Sequence, residues 1–192
     1  MKSLAAILLF ILSITLYSSS LEGLGPEYWT SAKADDVEKL LDSGKFSQLD
    51  LNEALANAAT SSTDPKIIEV LVKHGGDINA KDEDGMTPLM DAAMASQDTG
   101  IIRILLYCKA EVNEKNNQGK TALMYSTLNL SQPDITPLLL ERKADVNAKD
   151  SSGKSVLMFA VTIAEDTPQI ELLLKNGADI NASDNQGRTV LD

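Results

Sequence analysis

His74 and Cys108 are the only imidazole and the only thiol in the 192 residues. That excludes an intramolecular disulfide, a cysteine-rich zinc site and any reaction needing two imidazoles. Neither residue stands at a motif spacing from a nucleophilic serine, and the sequence contains no H-E-x-x-H, no G-x-S-x-G and no glycine-rich phosphate loop. His74 directly precedes Gly75-Gly76, where a cation suits the end of a helix and the chain must turn, so it reads as a cap rather than a base. Cys108 reads as a small, partly buried apolar residue, with a redox or dimer-forming thiol as the alternative. The acidic run Asp82-Glu83-Asp84-Gly85 lacks the alternating ligands and distal glutamate of a calcium loop and reads as a solvated turn. The sequons Asn129-Leu130-Ser131 and Asn181-Ala182-Ser183 would take a glycan only on a eukaryotic secretory route and read as accidental. The sequence therefore predicts no enzyme, with no catalytic residue, no metal and no cofactor.

Composition narrows the alternatives. With 43% hydrophobic and 23% charged residues the chain can build a core, and a formal net charge of -11 argues against nucleic acid or an anionic membrane surface as a partner. Residues 1–20 have the layout of a secretory signal peptide. Lys2 is the basic start, Leu4 to Leu12 begin the apolar run, and Ser18, Ser19 and Ser20 supply the small residues before cleavage after Ser20. The apolar stretch is shorter than the roughly 20 residues of a membrane span. The expected localisation is exported, periplasmic or secreted, with membrane contact only if this segment stays uncleaved.

The elements that position everything else come from a repeat. Asn79, Asn113, Asn147 and Asn181 are spaced by 34, as are Gly85, Gly119, Gly153 and Gly187. The same shift relates Thr87, Thr121, Ser155 and Thr189, and also Leu89, Leu123, Leu157 and Leu191. A fixed period in this range means a stacked array. Within a copy, an Asn, Asp and Gly-rich finger precedes a short helix opened by Thr87-Pro88, and Ala92 and Ala93 let helices approach closely. A second helix follows from Asp64, Asp98, Gln132 or Asp166, with ladders such as Ile104-Leu105-Leu106 that only stacked neighbours can bury. In the third copy Pro137 predicts a late start, with Thr136 as the cap. Copies are expected at about 45–78, 79–112, 113–146 and 147–180, with a truncated one at 181–192. Residues 21–44 form an N-terminal capping region in which Ala34 to Leu41 reads as a lone amphipathic helix.

The runs Gly85-Met86-Thr87-Pro88-Leu89-Met90-Asp91-Ala92-Ala93 and Gly177-Ala178-Asp179-Ile180-Asn181-Ala182 resemble ankyrin repeats, over about residues 45–192. The resemblance implies an all-α solenoid of stacked helix-turn-helix units with hairpin-like fingers. This sequence departs from the pattern in holding one extra residue per copy and in placing Met90, Met124 and Met158 where the signature has histidine. The last copy stops at Leu191-Asp192, so either the chain is a fragment or another subunit or partner is expected to cover its apolar face.

The resemblance also implies protein binding through a concave face of finger tips and inner-helix edges. Carried over by position, it selects Lys81, Glu83, Asp84, Met86 and Met94, then Lys115, Asn117, Gln118, Lys120 and Leu128. The following copies contribute Lys149, Ser151, Ser152, Lys154 and Ile163, and then Arg188. In an acidic protein, Lys81, Lys115 and Lys149 make one basic row and Lys120, Lys154 and Arg188 a second. With Met94, Leu128 and Ile163 as apolar anchors, the double row is expected to meet an acidic protein surface. The opposing expectation is that each lysine only screens Asp82, Asp150 or Asp184 beside it. An accessory or inhibitor module of an enzyme, or a membrane-anchored scaffold, is the alternative function.

Overall fold

A computed structural model of the chain describes residues 21, 24, 26–162 and 167–192. The expected signal segment, Ile163 and Asp166 lie outside the described residues. Ten helices are present among them: α1 (Pro26–Ser31), α2 (Ala34–Ser43), α3 (Gln48–Ser61), α4 (Lys66–Lys73), α5 (Pro88–Ala95), α6 (Thr99–Tyr107), α7 (Ala122–Ser126), α8 (Ile135–Glu141), α9 (Val156–Thr162) and α10 (Thr167–Lys175). Apart from one antiparallel bridge, Lys149 with Ser155 in a finger, the described residues contain no β-structure. The fold is the expected all-α solenoid.

The helices sort into two layers. α1, α3, α5, α7 and α9 stack one on the next, α2, α4, α6 and α8 stack behind them, and α3, α5, α7 and α9 each pack on the outer helix that follows. Small residues make the inner layer possible: Ala58, Ala59, Ala92 and Ala93 are fully buried where one helix meets the next. Ile67, Ile68 and Leu71 of α4 and Ile101, Ile102 and Leu105 of α6 fill the space between the layers, each fully buried. Every such side chain contributes about 1.5–3 kcal/mol through the apolar surface it removes from water. Met90 and Met124, standing where the signature has histidine, are also buried, as flexible apolar filling.

Helix starts follow the local chemistry with one correction. Thr87 flanks α5 with its hydroxyl accepting the Met90 N–H at 3.4 Å, and Pro88 takes the first turn. Asp98 accepts the Gly100 N–H at 2.7 Å, and Asp64 accepts that of Lys66 at 3.2 Å. In the third copy, however, α8 begins at Ile135 rather than after a Thr136 cap. A proline is harmless anywhere in a first turn, because those N–H groups have no intrahelical acceptor, so Pro137 does not force a late start. Thr136 is instead fully buried, its hydroxyl 2.9 Å from that of Ser126 and accepting from Gln169 Nε2 at 3.0 Å. This polar chain links α7, α8 and α10.

The N-terminal cap is a pair of helices, not a lone one. α1 lies against α3 and α2 against α4, so the pair continues both layers. Trp29 anchors it, 1% exposed, with its indole N–H donating to the Leu24 carbonyl at 3.2 Å. Six residues carry too little periodicity for α1 to be read from sequence. Similarly, α3 starts at Gln48 because Ser47 and Asp50 form a reciprocal capping box, earlier than the repeat pattern alone indicates.

The outer helices of the four repeats, α4, α6, α8 and α10, end in a left-handed residue at positions 34 apart: Gly75 and Gly177 in two copies, but Lys109 (φ 72°) and Lys143 (φ 64°) in the middle two. A side chain there crowds the following carbonyl, which costs about 1 kcal/mol. Lys109→Gly and Lys143→Gly should therefore each raise the unfolding free energy by about 1 kcal/mol, read as a higher urea midpoint; a lower midpoint would contradict this account of the turn.

Candidate functional site

The fingers are built on one residue per copy. Asp82, Asn116, Asp150 and Asp184 each turn a side-chain oxygen into their own finger and accept two backbone N–H groups, from the residues two and four positions on, at 2.8–3.0 Å. A glycine follows three positions later in each finger. At Gly119, with φ +73°, a Cβ would lie 2.7 Å from the Ser151 N, a backbone atom of the next finger that cannot step aside.

Adjacent fingers are stitched by backbone hydrogen bonds. Asn117 N–H donates to the Asp84 carbonyl at 3.0 Å, Ser151 N–H to Gln118 at 2.9 Å, and Asn185 N–H to Ser152 at 3.0 Å. The amide of Asn117 adds a bond to the Glu83 carbonyl at 2.9 Å, and that of Asn185 one to Ser151 at 3.1 Å. Of the expected contact residues, Glu83, Asp84, Asn117, Gln118, Ser151 and Ser152 are thus brought into one continuous ridge with their side chains exposed.

The two basic rows have different fates. Lys81 Nζ donates to the Lys115 carbonyl at 3.1 Å, Lys115 Nζ to Lys149 at 2.9 Å, and Lys149 Nζ to Ser183 at 2.9 Å. Lys81 also pairs with Glu114 at 2.6 Å. The first row therefore reaches along the stack from copy to copy. In the second row Lys120 Nζ sits between two rings, 5.8 Å from the centre of Tyr125 and 5.6 Å from that of Phe159. Arg188 grips the carboxylate of Asp184 through Nε at 2.9 Å and a terminal nitrogen at 2.7 Å, and Lys154 is exposed. The screening pairs expected of the first row do not form, because Lys81, Lys115 and Lys149 reach instead to carbonyls of the next copy, and Lys81 to Glu114.

Met94, at the end of α5, is 46% exposed and Leu128, in the turn just past α7, 39%, at the same register. Thr162 holds that register in α9. Met86, expected as a contact, is instead buried, because its side chain turns under the second finger and its sulfur lies 3.3 Å from the Asn116 amide nitrogen. A groove of about 500 Å³ opens beside it, between α3, the first finger and α5. Leu49, Glu53 and Ala56 form one wall, Asp82 and Glu83 the rim, and Met86, Pro88 and Asp91 the other side. Burial, reinforced by the charge of Asp82, raises the Asp91 carboxyl to about 6. The positions in register with Asp91 are Tyr125 and Phe159, so this face changes from acidic to aromatic and basic along the array. Sequence reasoning missed Glu53 and Asp91, although the period alone puts Asp91 in line with the two rings.

The remaining chemical candidates are structural. His74 ends α4 with Nδ1 2.9 Å from the Val70 carbonyl and Nε2 3.1 Å from an Asp42 oxygen of α2. Both nitrogens meet acceptors, first the carbonyl and then the carboxylate, so the pKa is raised. Cys108 ends α6, half-buried, with its thiol pushed up by burial. Asn129 is buried and its amide donates to the carbonyls of Ala93 at 3.3 Å and Ser96 at 3.2 Å, so this sequon is closed to a glycan in the folded chain. Among the described residues, no helix is long and apolar enough to cross a membrane.

A family model described as ankyrin repeats (3 copies) matches residues 31–116 and 55–150. The chain belongs to the ankyrin repeat family. A second model, ankyrin repeats (many copies), matches residues 139–192, so the array is recognised through its final finger. Comparison with curated proteins gave no match. Ankyrin repeats are generally protein–protein interaction modules and typically non-catalytic, which accords with a face made of fingers and inner-helix edges.

The raised pKa of His74 fixes a sign. Protonation is favoured in the folded array, so its contribution is full below the unfolded value near 6.5 and disappears as pH rises through the folded value. His74→Ala should accordingly destabilise the array more at about pH 5.5 than at about pH 8.5, measured by urea unfolding; an equal loss at both would refute the pairing with Asp42.

Proposed function

We propose that the chain is an exported, non-catalytic ankyrin array that captures a protein partner across its fingers and inner-helix edges. The observation that carries this reading is the pair Met94 and Leu128, large apolar side chains exposed in the same register beside the finger ridge. Neither fills the core, and isolated contacts of this kind become binding anchors when a partner removes them from water. The partner presents an acidic patch to the C-terminal half, where Lys120, Lys154 and Arg188 are lined up. Lys115 and Lys149 hold the stack together rather than meeting that patch, so Lys154 is its first contact. Export is supported by the order of a basic start, apolar run and small residues in the first 20 residues, and places the array in a periplasm or outside the cell.

Met94→Asp combined with Leu128→Asp should weaken partner capture by at least about tenfold, while Tyr107→Asp on the outer layer leaves it unchanged. Pull-down from the exported fraction of the native source reads this out, and equal capture by all three proteins would sink the proposed face. Intact mass tests export separately. A soluble exported chain beginning at Leu21 is expected, whereas a chain that keeps Met1 and sediments with membranes would overturn it.

A further inference from the structure

The groove between α3, the first finger and α5 differs in chemistry from the rest of the binding face. Its floor is apolar, with Leu49 70% exposed at the mouth and Met86 and Pro88 beneath. Four carboxylates share it: Glu53, Asp82, Glu83 and Asp91. The cation among its lining residues is Lys81, and that ammonium is held away by Glu114 and the Lys115 carbonyl of the next finger. An apolar slot of this size with an uncompensated acidic rim has the complement of one kind of side chain, a long aliphatic stem ending in a cation.

We propose that this groove is a docking pocket for a lysine or arginine side chain of a partner protein, its stem lying along Leu49 and Ala56 above the Met86 and Pro88 floor and its charged head among Glu53, Glu83 and Asp91. The inference rests on the array being a protein-binding module and names the group that its N-terminal half receives. Together with the row Lys120, Lys154 and Arg188 toward the C-terminal end, it makes the face polar along its length, so that a partner segment enters in one direction only. Asp91 supplies a pH response. It shares the groove with Glu53 and Asn57 of α3 and Asp82 of the finger, and it lies within electrostatic reach of the Tyr125 phenol of α7, which Asn116 of the second finger contacts. The nearby cations are engaged elsewhere, Lys81 of the groove by Glu114 and the Lys115 carbonyl and Lys120 over the Tyr125 and Phe159 rings, and the carboxyl titrates near 6 in the free array. A bound cation favours the ionised form, so binding must weaken as pH falls through that value.

The test is selection of random peptides displayed on phage against the whole array and against its Glu53→Gln, Glu83→Gln, Asp91→Asn variant. Asp82 is kept, because it holds the finger together, and circular dichroism with thermal melting checks that the variant is folded. Peptides enriched on the parent array should carry lysine or arginine beside an apolar residue. A synthetic peptide of that sequence should bind the variant about tenfold more weakly, and should lose affinity for the parent between about pH 7.5 and about pH 5. Peptides without a basic residue, or equal affinity for the folded variant, overturn the pocket. If such peptides still lose binding with Met94→Asp and Leu128→Asp, the pocket fails while the binding face stands. If binding survives both sets of substitutions, both readings fail.

Discussion

Everything in this array depends on the registration of one copy against the next. Asn52, Asn79, Asn113 and Asn147 each accept a backbone N–H at 2.8 Å from the start of the following finger or its approach: Asp77, Glu111, Asp145 and Asp179. Asn113 and Asn147 complete the clamp by donating to the carbonyls of Lys143 and Gly177. A stack of helix pairs has only nearest-neighbour contacts, so without such directional bonds its apolar ladders would slide. The clamps hold the helices at one offset, and the finger-to-finger backbone bonds propagate it to the edge where a partner would meet the chain.

That constraint explains how the charges are used. A lysine on a repeat edge is ordinarily solvated and worth little. Here Lys81, Lys115 and Lys149 donate to carbonyls one repeat onward, so the same residue type at the same register serves as a strut. Once those ammoniums are committed, the acidic residues of the first finger and inner helices lack local cations, whereas Lys120 is retained near two aromatic rings. The polarity of the face therefore follows from which charges the stack consumes, although the overall charge is -11.

The buried polar residues tell a related story. Ser126, Thr136 and Gln169 sit where a repeat of uniform leucines would be apolar, and they form a hydrogen-bonded chain through the C-terminal half. Asn129 does the same between the second and third copies. Such groups cost free energy to bury unless partnered, and partners exist only when the copies are in the native offset. They tie the correct register to the satisfaction of polar groups rather than to packing alone.

The repeat, the all-α architecture, the boundaries of most helices and the capping role of His74 were legible in the sequence, because each rests on local chemistry repeated every 34 residues. Periodicity averages over copies, so it reveals what they share and hides what a single copy does differently. Thr136 illustrates the limit, since beside Pro137 it reads as a cap and only the neighbouring helices offer its hydroxyl better partners. The same holds for Met86, turned inward under the next finger, and for α1, too short to announce itself. The sequence determined which residues lie on the finger side. Only tertiary structure decided which remain free there, because a lysine's reach spans one repeat and the carbonyl it finds belongs to a neighbour that no local pattern contains.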